Sequence, residues 1–128
     1  MNGENQMYCN ICNKNMDSYY GTMLYSLPKI LIINLNRGRG AVYQCNVNFT
    51  EDLDLFNYIS NKSGNYLYEL YAIICHIGES SMSGHFVAYC KNRMDKMWYL
   101  YNDGLVSKCE SYKDYRGKMP YILFYKAK

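Results

Sequence analysis

The stretch Gly84-His85-Phe86-Val87-Ala88-Tyr89 is followed, after a short polar segment, by Trp98-Tyr99-Leu100-Tyr101-Asn102-Asp103. Side chains along both stretches alternate in the way that β-strands require, and residues 92–96 between them are typical of a turn. The sequence therefore predicts one tight antiparallel hairpin that brings the two stretches side by side.

This hairpin places a histidine opposite an amide and a carboxylate. If the chain folds back about Met94, His85 lies across from Asn102 or Asp103. Opposed residues have Cβ atoms about 5 Å apart, so a side-chain oxygen there fixes the tautomer and orientation of the imidazole. A general base that activates a nucleophile requires this arrangement. The pattern predicts half of a catalytic triad; the alternative is a strand histidine that only satisfies a hydrogen bond in the core.

A triad also needs a nucleophile, and the six cysteines offer no convincing one. Cys45, Cys75 and Cys90 lie in apolar, strand-like runs, where cysteine most often acts as a small buried hydrophobic residue. Cys109 follows a short predicted strand and is expected at the surface, but no helix follows it closely. Uneven spacing and strand positions favour reduced thiols in a cytosolic or nuclear protein over a secreted disulfide scaffold.

Cys9 and Cys12 have the Cys-x-x-Cys spacing of half a zinc ribbon. A closed tetrahedral site needs four ligands, so two more would have to come from elsewhere. The alternative is a pair of free thiols on a turn. A thioredoxin-like redox motif is not expected, because no βαβ pattern surrounds the two cysteines.

Composition limits the classes of partner. The chain has 128 residues and a net charge of +3, without a run of Lys or Arg that would form a nucleic-acid-binding patch. Its longest apolar run, Ile30–Ile33, is far too short to span a bilayer. We therefore expect a modest single core and neither nucleic acid nor membrane as a partner.

Hydrophobic periodicity predicts a mostly antiparallel β-sheet. Asp52–Ile59 is predicted as one short helix, since Leu53 and Phe56 recur at helical spacing, and residues 61–65 have the composition of a loop. The predicted strands are Leu31–Asn36, Val42–Phe49, Tyr66–His76, His85–Lys91, Met97–Asn102, Leu105–Lys108 and Tyr121–Lys126.

Six motifs follow one another along the chain: Tyr8-Cys9-Asn10-Ile11-Cys12, residues 27–37 (LPKILIINLNR), residues 68–78 (YELYAIICHIG), Gly84–Tyr89, Trp98–Asp103 and Pro120-Tyr121-Ile122-Leu123-Phe124-Tyr125. In this order, from about Tyr8 to Lys126, they resemble the C-terminal half of the catalytic domain of the ubiquitin-specific proteases. These are cysteine peptidases that cut after the ubiquitin C-terminus.

The resemblance implies an α+β, papain-like cysteine protease fold, of which this chain is mainly the antiparallel sheet (the palm), with residues 7–17 as half of the zinc-ribbon fingers. It implies that His85 is the general base and that Asn102 is the orienting third member of the triad. Asp103 matches a neighbouring polar position with a supporting role. Because a neutral amide cannot stabilise an imidazolium by charge, we expect Asp103 to supply that charge.

The resemblance also implies a substrate-binding set. His76 and Phe86 match positions that contact the ubiquitin tail, and residues 78–83 match a mobile loop over the channel that receives it. Gly84 would let the substrate backbone approach closely. The family commonly has Tyr where this chain has Phe86, and usually an aromatic residue after Arg37, where this chain has Gly38.

The family's cysteine box, with its nucleophile, has no counterpart in this sequence, so two functions stay open. The first is a thiol-dependent deubiquitinase of which this chain is the His/Asn half, with ubiquitin or a ubiquitinated protein and the upstream half of the domain as partners. The second is an inactive ubiquitin-binding module or pseudoenzyme. No cofactor is required for catalysis, and structural zinc is expected only with upstream ligands.

Overall fold

A seven-stranded antiparallel β-sheet dominates the structure, a computed structural model that describes residues 3–38, 45–80, 83–115 and 117–128. A two-stranded hairpin of β1 (Met7–Cys9) and β2 (Lys14–Met16) precedes the sheet. The strands of the sheet are β3 (Ile30–Asn34), β4 (Asp52–Asp54), β5 (Leu67–Ser80), β6 (Ser83–Lys91), β7 (Trp98–Asn102), β8 (Leu105–Cys109) and β9 (Met119–Ala127).

The long strand β5 is the centre of the sheet, whose order is β3-β9-β5-β6-β7-β8. Along one edge β5 pairs with β9, and along the other it pairs with β6 from Ala72 onwards and with β4 at Leu67–Glu69. A bulge shifts the β5–β6 register between Ile77 and Ser80. This bulge lies at the end of the sheet that carries His85.

The core lies on one face of the sheet, as the alternating burial along β9 shows. Two tyrosines fix segments outside the sheet to this core: the hydroxyl of Tyr68 donates to the carbonyl of Pro28 at 2.6 Å, and that of Tyr125 donates to Thr50 at 2.7 Å. The buried apolar residues are Leu55, Ile59, Tyr68, Leu70, Ala72, Ile73, Cys75, Val87, Tyr89, Trp98, Cys109, Leu123 and Tyr125.

The predicted hairpin is present as β6 and β7, but its register differs by one residue from folding about Met94. Lys91 pairs with Trp98 and Ala88 pairs with Tyr101. The cause is the turn, in which the amide of Asn92 donates to the carbonyl of Met97 at 2.8 Å and Lys96 adopts a φ of 61°. The centre of the hairpin therefore lies between residues 94 and 95.

Two secondary-structure predictions were wrong. Asp52–Ile59 is not a helix: Leu53 pairs with Tyr68 across β4 and β5, and only Phe56–Tyr58 forms a 3-10 turn. Strand pairing overrides the helical spacing of the apolar residues. The predicted strand Val42–Phe49 lies partly outside the described residues, and residues 45–49 do not form a strand. The ring of Phe49 instead stacks on Tyr115 with centroids 5.1 Å apart.

The remaining predicted strands are present with ends shifted by a few residues. The helical segments among the described residues are three 3-10 turns, at Gly3–Asn5, Phe56–Tyr58 and Tyr112–Tyr115. In this part of the chain no helix has the length and apolarity needed to cross a membrane.

Candidate active site

His85 and Asn102 come from neighbouring strands that have begun to separate. The β6–β7 ladder ends at the pair Ala88–Tyr101, and Ala88 follows His85 by three residues in β6, so His85 lies beyond the end of the ladder. Asn102 is the last residue of β7 and pairs with Leu105 across a two-residue turn. Strand separation leaves room for the imidazole and the amide to meet side chain to side chain.

The imidazole of His85 is joined to the amide of Asn102 by a short hydrogen bond. Nε2 of His85 lies 2.6 Å from Oδ1 of Asn102. Because a carbonyl oxygen only accepts, Nε2 carries the hydrogen in the neutral ring and donates it. The lone pair is therefore on Nδ1, and this atom is the one that can take a proton from a nucleophile. The side chain of His85 is 43% exposed, so the ring remains accessible.

Asp103 stands close to the ring without bonding to it. Its Oδ2 is 3.8 Å from Nε2 of His85, which is beyond hydrogen-bond distance, and its side chain is 83% exposed. Asp103 has a φ of 49°, a left-handed conformation that Asp tolerates, in the turn after β7. Of the two residues that the sequence placed opposite His85, Asn102 makes the contact. An exposed carboxylate at this distance gives only a weak attraction to a protonated ring.

His76 is almost completely buried beside the strand that carries His85. The residue is 4% exposed, because its ring packs beneath Phe86 and Tyr121 with centroid distances of 4.8 and 5.6 Å. It is also pressed against Gly84: a Cβ built on that glycine would lie 2.2 Å from Nε2 of His76. His76 thus makes an internal contact with the site's own backbone, and its predicted contact with substrate stays a prediction.

Phe86 forms the exposed cap of this aromatic cluster. It is 54% exposed and meets the ring of Tyr121 edge-on, with centroids 5.4 Å apart at 87°. A substrate can reach Phe86, and its predicted role in binding stays a prediction. Sequence reasoning missed Tyr121, because its contact depends on the pairing of β9 with β5, and periodicity along one strand carries no sign of that pairing.

A buried arginine, Arg37, anchors the chain leaving β3 beside the start of β9. Its Nε donates to the carbonyl of Pro120 at 3.0 Å, and its guanidinium also donates to the carbonyl of Cys45. Arg37 is 6% exposed. Pro120 precedes Tyr121, so this anchor helps to fix the strand that carries one wall of the aromatic cluster.

The cysteines within the sheet are poor nucleophiles. Burial raises the pKa of the Cys75 thiol to about 12 and also raises the pKa of Cys90. The pKa of Cys109 is raised by burial and by the nearby charge of Asp114. Cys109 is buried rather than exposed as predicted, since it pairs with Trp98 across β7 and β8. Cys45 is exposed, not buried as predicted, because its segment is not a strand.

The β1–β2 hairpin favours the thiolate form of Cys9, which is the form that binds a metal. The pKa of the Cys9 thiol is lowered, chiefly by a hydrogen bond from the backbone amide of Cys12 and then by one from Ile11. Amide donors favour the thiolate, which is the form that binds zinc. Cys12 also hydrogen-bonds the Cys9 thiol through its side chain, so the two cysteines of the Cys-x-x-Cys motif lie side by side in this hairpin. In the described part of the chain, no group of three or more His, Cys, Asp or Glu side chains is arranged so that it could hold a metal ion.

Comparison with known proteins identifies the family. A family model described as ubiquitin carboxyl-terminal hydrolase matches residues 1–125. The chain belongs to the ubiquitin carboxyl-terminal hydrolase family. The resemblance to the ubiquitin-specific proteases inferred from the six sequence motifs is confirmed.

Similar proteins include ubiquitin carboxyl-terminal hydrolase 48 of Rattus norvegicus, which is 32% identical over 120 residues covering 88% of this chain. Ubiquitin carboxyl-terminal hydrolase 10 of Arabidopsis thaliana is 36% identical over 130 residues covering 96% of the chain. The alignments span only 12% and 14% of those proteins. This hydrolase-family chain therefore corresponds to a small part of each relative.

Solved structures agree with the sheet described above. The SAGA Ubp8/Sgf11/Sus1/Sgf73 DUB module bound to ubiquitin aldehyde matches 98% of this hydrolase-family chain with a TM-score of 0.76 at 26% identity, covering 30% of the matched chain. The predicted fold class is confirmed: the chain is mainly the antiparallel sheet of a papain-like cysteine protease fold.

Proposed function

We propose that this chain supplies the general base and its orienting residue to a thiol-dependent deubiquitinase, which hydrolyses the bond after the C-terminal Gly of ubiquitin. The observation that carries the proposal is the 2.6 Å hydrogen bond between His85 and Asn102 in a chain of this family. Residues 1–128 are then the C-terminal part of a ubiquitin-specific protease catalytic domain. The nucleophilic cysteine comes from the upstream half of that domain.

In the proposed reaction, Nδ1 of His85 accepts the proton of the cysteine thiol, and the thiolate attacks the carbonyl carbon of the ubiquitin Gly. The imidazolium then gives its Nδ1 proton to the leaving amine nitrogen, which leaves a thioester on the cysteine. In the second half, Nδ1 takes a proton from water and the hydroxide attacks the carbonyl carbon of the thioester. The C–S bond then breaks, ubiquitin leaves with a free C-terminal carboxyl group, and the imidazolium returns its Nδ1 proton to the cysteine thiolate. Asn102 holds the ring through Nε2 during both halves.

Asp103 has a supporting role in this scheme. Its carboxylate oxygen lies 3.8 Å from Nε2 and is well exposed, so water screens its attraction to the imidazolium. The amide of Asn102 orients the ring but brings no charge. Asp103 therefore supplies a small electrostatic stabilisation, and Asn102 supplies the geometry.

The substrate side of the site is proposed for Gly84 and Phe86. Gly84 has an exposed backbone with a φ of 154°, and Phe86 presents more than half of its surface next to it. An extended ubiquitin tail running past His85 would meet both residues. The module with ubiquitin aldehyde bound supports ubiquitin as the partner by its similarity to this chain.

Zinc is proposed as a structural ion only. Cys9 and Cys12 in residues 7–17 would provide two thiolates, and two further ligands would come from the upstream half of the domain. When bound, the metal would fix the fingers by closing a tetrahedral site and would take no part in catalysis.

The test of the proposed function uses the intact protein that contains this chain. Hydrolysis of a ubiquitin–fluorophore amide, and covalent capture by a ubiquitin probe with a C-terminal electrophile, are expected together. Prior alkylation of thiols should abolish both. Binding of ubiquitin without either reaction would instead identify the chain as part of an inactive ubiquitin-binding module, and the catalytic proposal would fail.

A further inference from the structure

The glycines on both sides of the β5–β6 bulge enclose the ring of His76. A Cβ on Gly84 would lie 2.2 Å from Nε2 and 2.3 Å from Cε1 of His76, far closer than carbon atoms approach in real proteins. A Cβ on Gly78 would lie 2.8 Å from the same Cε1 and 2.6 Å from the carbonyl oxygen of Ser83. The imidazole of His76 thus occupies the space that side chains at both positions would need.

Two aromatic rings also pack against His76. Phe86 and Tyr121 lie 4.8 and 5.6 Å from its ring centroid, and they contact each other edge-on. At 4% exposure, the ring has little freedom to change rotamer without displacing one of these neighbours. His76 is therefore a fixed point in the part of the sheet that carries His85.

The backbone next to His85 takes its shape from this fixed point. Ile77 pairs with His85, and the register then shifts so that Ser80 pairs with Ser83. Bulges of this kind re-aim the side chains beside them and are frequent next to active sites. Gly84, immediately before His85, has a φ of 154° that side-chain-bearing residues rarely adopt.

We propose that His76 is a positioning residue, whose imidazole wedges the β5–β6 bulge and so aims the ring of His85 at Asn102. The link runs from His76 through the Gly84 backbone to His85. A hydrogen bond of 2.6 Å tolerates little displacement, and a misplacement of about 1 Å can reduce turnover about 10²-fold. The catalytic part of this inference rests on the proposed function; the geometric part does not.

The test compares four forms of the intact protein with wild type: His76→Ala, Gly84→Ala, their combination, and Gly104→Ala. Gly104 is the matched control, since a Cβ there meets nothing within 4 Å and the residue lies in the neighbouring turn. We expect both single changes to lower kcat for a ubiquitin–fluorophore substrate by about 10²-fold, and His76→Ala, which alters no proposed substrate contact, to change KM by less than about threefold. Gly104→Ala should leave both constants near wild type.

The combined variant tests the wedge itself. Removing the imidazole relieves the clash with His76 but not the one with the carbonyl oxygen of Ile77, which would lie 2.5 Å from the same Cβ. Gly84→Ala should therefore still lower kcat in the His76→Ala background, but by a smaller factor than it does alone. Additive losses would overturn the wedge. A rise in KM with unchanged kcat in His76→Ala would also overturn it, because that result indicates a direct substrate contact.

A second measurement is independent of activity. In the intact protein, the ring Nε2–H proton of His85 can be assigned by NMR as the signal that is lost in the His85→Ala variant. We expect this proton to be protected in wild type and to exchange with solvent in His76→Ala. An unchanged signal in His76→Ala would refute the positioning role of His76, whether or not the protein is active. Absence of ubiquitin hydrolysis in every form of the protein would refute the proposed function and would leave the NMR test of His76 unaffected. If His76→Ala does not fold, His76→Gln replaces it in the kinetic and NMR comparisons of the single variants.

Discussion

The ring of His85 is held by the amide of Asn102 at 2.6 Å, although the last backbone pair between their strands is at Ala88, three residues away from His85. The contact is therefore made by the two side chains rather than by the ladder. A neutral amide sets the tautomer of the imidazole, and the charged neighbour Asp103 stands farther away at 3.8 Å. Orientation and charge thus come from different residues.

Replacing Asn102 should show how much the orientation of the His85 ring contributes to kcat. In the intact protein, Asn102→Ala leaves Nε2 without its acceptor, and the ring is then free to rotate and to exchange tautomers. We expect kcat to fall by about 10² to 10⁴, in the range that one positioned acid–base group contributes. Steady-state hydrolysis of a ubiquitin–fluorophore substrate measures this change.

Asp103→Asn is the matched change of charge at the adjacent position. Because its carboxylate is 83% exposed and beyond hydrogen-bond distance, we expect a loss of less than about fivefold. That loss should shrink further when salt is added. A larger effect for Asp103→Asn than for Asn102→Ala would reverse the roles assigned to the two residues.

The contact between His85 and Asn102 could be predicted from sequence because it depends on local information. Alternating residues predict two strands, a polar segment predicts the turn, and together they bring positions 85 and 102 close. An error of one residue in register did not remove the contact, since long side chains bridge such an offset. The choice between Asn102 and Asp103 could not be made, because it depends on the φ of 49° at Asp103 in the turn.

The environment of His76 could not be predicted, because it is assembled from three strands. Burial of its ring depends on Phe86 in β6 and Tyr121 in β9. These residues are far apart along the chain, and no local pattern of hydrophobic residues indicates that they meet. The same reason explains the error at Cys109, which is buried by pairing with Trp98. The burial of both residues thus depends on strand pairing between separate parts of the chain.

A bridging carboxylate predicts how the fold responds to acid. Glu69 lies between Lys91, at 2.7 Å, and Lys126, at 3.2 Å. The pKa of Glu69 is lowered from its ordinary value of 4.5, chiefly by the hydrogen bond from Lys91. Burial acts in the opposite direction and raises this pKa, whereas the hydrogen bond from Lys126 lowers it further. A lowered folded-state pKa stabilises the fold above about pH 4.5, and the contribution disappears as the pH falls through the folded-state value.

We therefore expect Glu69→Gln to lower the free energy of unfolding by about 1 kcal/mol at pH 7 and to have almost no effect near pH 2, as measured by urea denaturation. The control is Asp52→Asn, which removes the exposed pair with Lys128 and should change stability by less than about 0.5 kcal/mol. Equal effects of Glu69→Gln at both pH values would contradict the linkage.

The zinc proposal makes a prediction about metal content. In the intact protein, Cys9→Ser and Cys12→Ser should each abolish stoichiometric zinc, because a closed site needs all four ligands. Elemental analysis of the purified protein measures this. Cys45→Ser is the control, since Cys45 is exposed and belongs to a different segment. Zinc retained in both hairpin variants would show that residues 7–17 do not bind it.

Residues 1–128 alone should not hydrolyse ubiquitin amides. The chain's own buried thiols have raised pKa values, and water activated by His85 is a much weaker route than a thiolate. The measurement is turnover of a ubiquitin–fluorophore substrate by the chain, after circular dichroism has shown that it is folded. Turnover that alkylation abolishes would contradict this and direct attention to Cys75, Cys90 or Cys109.

The most direct test of the account is the effect of His85→Ala on the intact protein. Without the base, the thiol of the nucleophile is not deprotonated, and triad members act as a unit, so Asn102→Ala should add almost nothing in this background. We predict that kcat for a ubiquitin–fluorophore substrate falls by at least about 10³-fold, while the affinity for ubiquitin, measured by calorimetry, stays within about threefold of wild type. Near-normal turnover by the His85→Ala protein would show that this histidine is structural and would contradict the catalytic role.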